Sequence, residues 1–249
     1  MKLTLEEPRI LTELIGIISE LVNEVHFRVD KEKIEVVAMD PANVAMVIFR
    51  LLGSAFKTYQ VDKPVKLALS LDALKTILKR AKPSDLLSLE LDSERNKLKI
   101  TISGESKRTF NIALIDVDEK EQKIPELKFP LKIETNSVVF DEAINDMDVI
   151  SEAVSLGIDK DKFVVEAESN LNDARVEIGT DTNTKIQAGS KSEVKARYSL
   201  EYLKRIIKGS KLANTVILQF DKDYPLKVDY IVKDKLSLSF ILAPRVSND

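Results

Sequence analysis

The chain of 249 residues has no cysteine, no tryptophan and a single histidine, His26. The absence of cysteine excludes disulfides, thiol catalysis and thiolate metal sites, and it fits a reducing cytoplasm. His26 has no second imidazole with which to share a metal ion. It lies in VHFRVD, where Val25, Phe27 and Val29 alternate inward, so we expect His26 to face solvent. The sequence therefore predicts neither a metal site nor another cofactor.

Long apolar runs and the motifs of common enzymes are missing as well. No stretch reaches the ~18 apolar residues of a membrane span, and the N-terminus MKLTLEEPRI lacks the apolar run of a signal peptide. There is no Gly-rich phosphate loop, GxSxG motif or HExxH motif. The acidic segment DEAINDMD (141–148) has two interpretations, a hydrolase's metal or acid/base cluster and a solvated helix face with Glu142 and Asp146 four residues apart. We expect the second, and we expect that the chain is not an enzyme.

What the chain does contain is an internal repeat. DKEKIEVVAMD (30–40) recurs as DKDKFVVEAES (159–169), an offset of 129 residues. At the same offset, LDALKTILKRAK (71–82) recurs as LEYLKRIIKGSK (200–211) with six of twelve positions identical. This period is too long for a solenoid unit of about 20–50 residues. It indicates two similar domains of roughly 115–120 residues, which is a usual domain size.

Each half is predicted to contain a helix, strands, a second helix and further strands, which together make an α+β fold. Periodic apolar residues predict helices over 9–22 and 71–82, and over 199–211 in the second half. Ser70 or Asp72 is the candidate cap of the helix over 71–82.

The segment DVDEKEQKIPELKFP separates the two halves. Its charged start, its two prolines and its lack of a clear period predict an extended connector rather than a helix or strand. The predicted organisation is an N-terminal domain over 1–116, a connector over 117–130 and a C-terminal domain over 131–249.

The second helix of each half carries regularly spaced lysines. Lys75, Lys79 and Lys82 are spaced i, i+4, i+7 and should share one helix face, and the lysines at 204, 208 and 211 repeat the spacing. A single such face is usually a solvated amphipathic helix. Two repeated faces favour a shared ligand, and cations without interleaved aromatic residues suit sequence-independent attraction to a phosphate backbone. The formal net charge of −3 does not oppose this, because placement matters more than the sum.

The chain resembles the sliding clamps of the archaeal and eukaryotic proliferating cell nuclear antigen family along its whole length. The resemblance depends on AMDPANVAMV (38–47), LKRAK (78–82), RTFNIALIDV (108–117), IPEL (124–127), YSLEYLKRIIKG (198–209) and FILAPRV (240–246). Two departures are Leu52, where a proline is often found, and Ile241, where an aromatic residue is frequent.

The resemblance implies a duplicated DNA-clamp fold in which each domain packs two helices on antiparallel sheets. Subunits would join head to tail into a closed trimeric ring of self or paralogous copies around duplex DNA, with basic helix faces lining the hole. The implied function is a DNA polymerase processivity factor. It would tether polymerase, a clamp loader and other replication and repair enzymes through short apolar peptides that end on its surface.

Three sets of residues are predicted to carry this function. The predicted DNA-binding residues are Lys75, Lys79, Arg80, Lys82, Lys204, Arg205, Lys208 and Lys211. The predicted subunit interface contains Lys82, Lys107, Arg108, Phe110, Ile112, Glu142, Asp146, Arg175 and Glu177. The predicted partner-peptide pocket contains Val44, Met46, Ile124, Pro125, Leu127, Phe129, Pro225, Ile241, Ala243 and Pro244.

Alternatives remain at this stage. The chain could be a monomeric duplicated DNA- or protein-binding module that forms no ring. The pocket residues could instead seal a junction between domains. The expected location is the cytoplasm, associated with the nucleoid in a prokaryote, or the nucleus in a eukaryote.

Overall fold

The structure, a computed structural model, describes residues 1–116, 122–189 and 193–245. The chain divides into two compact units. The first comprises residues 1–41, 47–124 and 232–237, and the second comprises 42–46, 125–231 and the residues from 238 onward. Part of the predicted connector, residues 117–121, lies outside the described residues. Among the helices that are described, none has the length and apolar character needed to cross a membrane.

Strands and helices follow one another in a fixed order. The first half contains β1 (Lys2–Leu5), α1 (Pro8–Ile18), β2 (Glu24–Val29), β3 (Lys33–Met39), β4 (Ala45–Leu52), β5 (Thr58–Gln60), β6 (Val65–Ser70), α2 (Leu71–Leu78), β7 (Leu86–Asp92), β8 (Lys97–Ser103) and β9 (Lys107–Ala113). The second half contains β10 (Leu131–Asn136), α3 (Ser137–Asp146), β11 (Ala153–Asp159), β12 (Lys162–Glu168), β13 (Asp173–Gly179), β14 (Lys185–Gln187), β15 (Glu193–Ser199), α4 (Leu200–Ile206), β16 (Thr215–Phe220), β17 (Leu226–Val232) and β18 (Leu236–Leu242).

The order of elements repeats, which confirms the duplicated α+β fold. β12 begins at residue 162 and β3 at residue 33, a difference of 129, and both strands have seven residues. β17 follows β8, and β18 follows β9, at the same offset and with equal lengths. The internal repeat in the sequence is therefore a repeat of structure.

The predicted helices are shorter than their apolar periodicity suggests. α1 has Pro8 at its start and ends at Ile18 rather than at residue 22, and the chain continues in turns in which Leu21 and Val22 remain buried. Buried residues thus extend the pattern beyond the helix itself. This is a common error of periodicity, because a turn can bury the same side chains.

α2 ends at Leu78, whereas the sequence predicted a helix as far as residue 82. The reason is a turn in which the Asp85 carboxylate accepts the backbone N–H of Lys82 at 2.9 Å. Ser70 occupies the N-cap position but its side chain makes no cap bond, and Asp72 lies within the first turn. Neither predicted cap therefore acts as one. In the second half, α4 ends at Ile206 and a 3-10 segment, Ile207–Lys211, completes the predicted range.

The first unit contains two groups of strands. One is a sheet in the order β5-β1-β7-β8-β9, and in the other β4, β3, β2 and β6 are neighbours. Leu3 pairs with Leu89, and Val25 pairs with Leu69, in antiparallel register, and all four side chains are buried. Burial of each such side chain stabilises the fold by about 1.5–3 kcal/mol. α1 packs against α2, and α2 contacts β6 and β9.

The second unit follows the same plan. One sheet has the order β13-β12-β11-β15, and β14, β10, β16, β17 and β18 are neighbours in the other group. α3 packs against α4 and β10. The ring of Phe140 on α3 lies 6.2 Å from the ring of Phe163 on β12, both fully buried, so α3 is fixed over the sheet that ends in β13.

Candidate functional site

The predicted DNA-binding residues of the first unit lie partly on α2 and partly on the turn after it. Lys75 is half-buried, and its Nζ donates to the Ser19 hydroxyl at 2.8 Å. Lys79 and Arg80 are exposed, and neither side chain has a partner within the described part of the chain. Lys82 is exposed and pairs with Glu105 at 3.0 Å. The expectation of one lysine face along a single helix is wrong, since the helix ends before Lys79.

A buried ion pair that the sequence did not reveal holds this basic turn. The Asp85 carboxylate is 4% exposed and accepts the Arg108 Nη2–H at 2.7 Å. Arg108 Nη1 donates to the carbonyl of Arg80 at 3.0 Å. A Cβ on Gly104 would lie 2.0 Å from Asp85 Oδ1, so glycine is required beside the carboxylate. The pair ties the turn after α2 to β9, where Arg108 lies.

The cations of the second unit lie on α4 and the 3-10 segment. Lys204 pairs with Asp148, and Arg205 pairs with Glu201 while its guanidinium lies 5.3 Å from the centre of the Tyr202 ring. Lys208 is half-buried and Lys211 is exposed, and both make interactions within the chain.

A glycine fixes the segment that carries Lys208 and Lys211. A Cβ on Gly209 would lie 2.3 Å from the ring of Tyr230, which is fully buried. The backbone of the segment therefore rests directly on this ring, and both lysines are presented from a rigid base.

β9 and β13 are edge strands of similar construction. Within residues 1–116, 122–189 and 193–245, β9 pairs only with β8, and β13 pairs only with β12. Each has seven residues, and exposed side chains alternate with more buried ones in the same order. Each edge leaves a row of backbone groups on its outer side.

Two of the predicted interface residues on β9 are engaged within their own unit. Ile112 is 8% exposed and belongs to the core, so the prediction that it lies on an exposed edge is wrong. Arg108, predicted to meet acidic residues across a joint, is paired with Asp85. Phe110 is half-buried, and Lys107 is exposed without a side-chain partner among the described residues.

The predicted interface residues of β13 belong to an ion-pair network on the outer face of their sheet. Arg175 contacts Glu166, Glu177 and Asp159, and further pairs join Lys162 to Glu177 and Lys195 to Glu166. Hydrogen bonds from Lys162 and Arg175 lower the pKa of Glu177. Desolvation alone would raise the pKa of Glu166, but the hydrogen bonds and charges of Lys195 and Arg175 outweigh it and lower the pKa.

α3 presents an acidic and apolar surface. Glu142 and Asp146 are exposed and have no partner within the described residues. Val138, Val139 and Val149 are 52%, 38% and 83% exposed. Among the described residues, no three His, Cys, Asp or Glu side chains are grouped as a metal site.

The predicted pocket residues are brought together only in part. Val44, Ala243 and Pro244 line a groove of about 790 Å³ together with residues of α4. Ala243 N–H donates to the Val44 carbonyl at 2.9 Å. Met46 and Ile241 are 3% and 8% exposed and lie in the core rather than on a surface.

Other pocket residues lie nearby in the second unit or belong to the first. The Phe129 ring contacts the Tyr224 ring, which precedes the half-buried Pro225, at a centroid distance of 5.6 Å. Leu127 is half-buried and Pro125 is exposed. Ile124, which belongs to the first unit, is 41% exposed.

Comparison with known proteins assigns this arrangement to a family. Residues 1–122 match the model of the proliferating cell nuclear antigen N-terminal domain, and residues 123–245 match that of its C-terminal domain. The chain belongs to the proliferating cell nuclear antigen family.

Relatives of the chain span its length. It is 35% identical over 234 residues to a DNA polymerase sliding clamp from Thermococcus gammatolerans, which covers 94% of each chain. It is 35% identical over 248 residues to a DNA polymerase sliding clamp from Nanoarchaeum equitans, which covers 98% of this chain and 99% of the relative. A crystal structure of PCNA from Thermococcus kodakaraensis matches with a TM-score of 0.91 at 27% identity, over 98% of this chain and 99% of that one.

Proposed function

We propose that copies of this chain, or this chain with related chains, join head to tail into a closed trimeric ring around duplex DNA. The function within which this proposal stands follows from the family and its named relatives: the chain is a sliding clamp, a DNA polymerase processivity factor, and not an enzyme. The monomeric binding module is not favoured. A clamp works at the chromosome, so we propose a location at the DNA, in the nucleoid if the cell is prokaryotic.

The observation that carries the ring is the presence of two open edges in one chain. β9 ends one sheet of the first unit, and β13 ends one sheet of the second. An open edge readily adds a strand, and natural proteins usually cover such edges. If β9 of one copy pairs with β13 of the next, every copy uses both edges, and a rotation that closes produces a ring.

Engineered disulfides test this pairing in a chain that has no native cysteine. If the strands pair antiparallel about their central residues, Phe110 and Val176, then Thr109 lies opposite Glu177. We expect the double variant Thr109→Cys, Glu177→Cys to form covalent trimers on oxidation and to return to single chains on reduction.

The control and the contrary result are simple. Each single-cysteine variant can form at most a disulfide dimer. The wild-type ring should have a solution mass of 84.0 kDa, three times the 28.0 kDa of one chain. A mass of one chain at every concentration, together with no covalent trimer and no association with a related clamp chain, would reject the ring.

We propose that the cations after α2 and on the 3-10 segment contact the DNA backbone. Lys79, Arg80, Lys82 and Lys211 are exposed, and Lys204, Arg205 and Lys208 lie near them in sequence on α4 and the segment that follows. Contacts of this kind are independent of base sequence and weaken with salt. Lys75 and Lys204 already have partners, so we expect them to contribute less.

The salt dependence of DNA binding by the loaded ring separates the two kinds of lysine. Replacing Lys79 and Lys211 with alanine should reduce the slope of log affinity against log salt by up to about 0.9 per lost phosphate contact. Replacing Lys75 and Lys204 should change it less, because each already has a partner within the chain. Equal slopes for the wild type and the Lys79, Lys211 variant would remove these two residues from the DNA-contacting surface.

We propose that client proteins, including DNA polymerase and a clamp loader, dock through short apolar peptides in the groove beside Val44, Ala243 and Pro244. The support is an accessible groove with apolar and small side chains at one end. The Phe129 and Tyr224 pair and the half-buried Leu127 extend apolar surface along the preceding connector. Apolar surface framed by polar residues is typical of a protein-binding site.

A further inference from the structure

The outer surface of α3 combines exposed valines with free carboxylates. Val138, Glu142 and Val149 follow at i, i+4 and i+11, which places them on one side of the helix and the short turn after it. Val139 and Asp146 flank this line. These five residues are called here the α3 outer face. Scattered exposed valines are ordinary on a protein surface, but three of them within twelve residues form a patch.

A surface of opposite charge lies beside β9 in the same chain. Lys79, Arg80 and Lys107 are exposed and, within the described ranges of the chain, have no side-chain partner. These three residues are called here the basic corner. Arg108 links the corner to β9, because it lies next to Lys107 and bonds both the carbonyl of Arg80 and the Asp85 carboxylate.

Each proposed half of the joint therefore pairs an edge strand with a charged surface beside it. The basic corner adjoins β9 through Arg108. The α3 outer face belongs to a helix fixed by the contact of Phe140 with Phe163 on β12, and Phe163 pairs with Ile178 on β13. If β13 of one copy adds to β9 of another, the two surfaces are carried by the strands that pair.

We propose that the α3 outer face docks on the basic corner of a second copy of this chain, so that the chain closes a ring with copies of itself. This inference rests on the proposed ring and adds its partner and its side-chain contacts. Carboxylates and cations that are unpaired in one copy find partners in the next, which sets orientation and suppresses wrong partners. The exposed valines become buried, which supplies the affinity that surface ion pairs lack.

Charge reversal and its rescue test the proposal on the full chain. The variant Glu142→Lys, Asp146→Lys and the variant Arg80→Glu, Lys107→Glu should each raise the ring dissociation constant, measured by mass photometry or sedimentation, by roughly tenfold or more. The variant that combines all four changes restores opposite charges at every joint and should recover most of the ring. Repulsion that is created and then relieved cannot come from misfolding, which would accumulate with four changes.

A second arm examines the apolar part of the surface. Val149→Asp should weaken the ring, whereas Ile231→Asp should not. Ile231 is 52% exposed and follows Tyr230 on β17, so it lies on the sheet face opposite to the one that packs on Gly209. Circular dichroism and melting temperature confirm that both variants are folded.

The outcomes separate this inference from the ring itself. Unchanged ring mass in both charge-reversal variants, with covalent trimers still formed by Thr109→Cys, Glu177→Cys, would overturn the docking surface and leave the ring in place. A wild-type chain that is monomeric alone but forms a ring with a related clamp chain would overturn self-closure only. A chain that forms no ring in either case would reject the proposed function as well.

Discussion

Replacing Arg108 with alanine should lower the free energy of unfolding by about 3 kcal/mol, because it leaves the Asp85 carboxylate buried without its ionic partner. The Lys82 N–H remains as a donor to this carboxylate but does not neutralise it. For a chain of this size, such a loss corresponds to a fall in melting temperature of roughly 5–10 °C. Thermal unfolding at a fixed chain concentration measures the change, since ring formation also shifts the midpoint.

Arg95→Ala is the matched control for this variant. Arg95 is an exposed arginine of the same unit, in the turn between β7 and β8, and its side chain has no partner among the described residues. We expect its effect to stay within about 0.5 kcal/mol. If Arg108→Ala is as mild as this control, the ion pair contributes little and the turn after α2 is held by other contacts.

The same ion pair changes the choice of interface variants. Reversing the charge of Arg108 would place an acid against the buried Asp85, so loss of the ring would follow from damage to the subunit. Arg80 and Lys107 carry charges that are free of side-chain partners within the described residues, and they can be reversed without this effect. For this reason the rescue experiment uses them.

Placing a charge at Ala243 should weaken the binding of a client peptide by roughly 30-fold, the equivalent of about 2 kcal/mol at a binding hot spot. Ala243 is exposed at the apolar end of the groove, and only its backbone takes part in the bond to Val44. The change Ala243→Asp therefore introduces an unpaired carboxylate where an apolar anchor would lie, without disturbing that bond. Titration with a fluorescent peptide that carries a glutamine, an aliphatic anchor and paired aromatic residues measures the loss.

Two comparisons make this result interpretable. Leu171→Asp, at a residue that is 92% exposed in the turn between β12 and β13, should leave peptide affinity unchanged. Charge at Met46 or Ile241 is unsuitable as a probe, since both are buried and the fold would be destabilised. Undiminished peptide binding by an intact Ala243→Asp ring would place the docking site elsewhere on the surface.

Apolar alternation made most of the strands predictable from sequence, while short strands escaped. β1 has four residues, and β5 and β14 have three each, which is too few for a periodic pattern to stand out. The repeat was the stronger signal, because it compares the chain with itself and needs no propensity. It identified the two halves and placed their second helices correctly at their starts.

The candidate sites were predictable by residue type but not by environment. Arg108 and Asp85 are separated by 23 residues, and nothing in the local sequence of either shows that they meet. Met46 and Ile241 lie in the runs AMVIFRLL and FIL, where consecutive apolar residues indicate burial on both faces of a strand rather than the floor of a pocket. Exposed lysines could be found from sequence, whereas the partners of Lys75 and Lys204 depend on tertiary packing.

The division of the chain into units has a consequence for its synthesis. The first unit includes residues 232–237, and within it Leu52 N–H donates to the carbonyl of Lys235 at 2.8 Å. These two residues are 183 positions apart, as 235 minus 52 gives. At translation rates of about 5–20 residues per second, the first unit waits for roughly 10–40 seconds after Leu52 is made before its last segment exists. The nascent N-terminal half should therefore remain incomplete on the ribosome, a natural substrate for chaperones, until almost the whole chain has emerged.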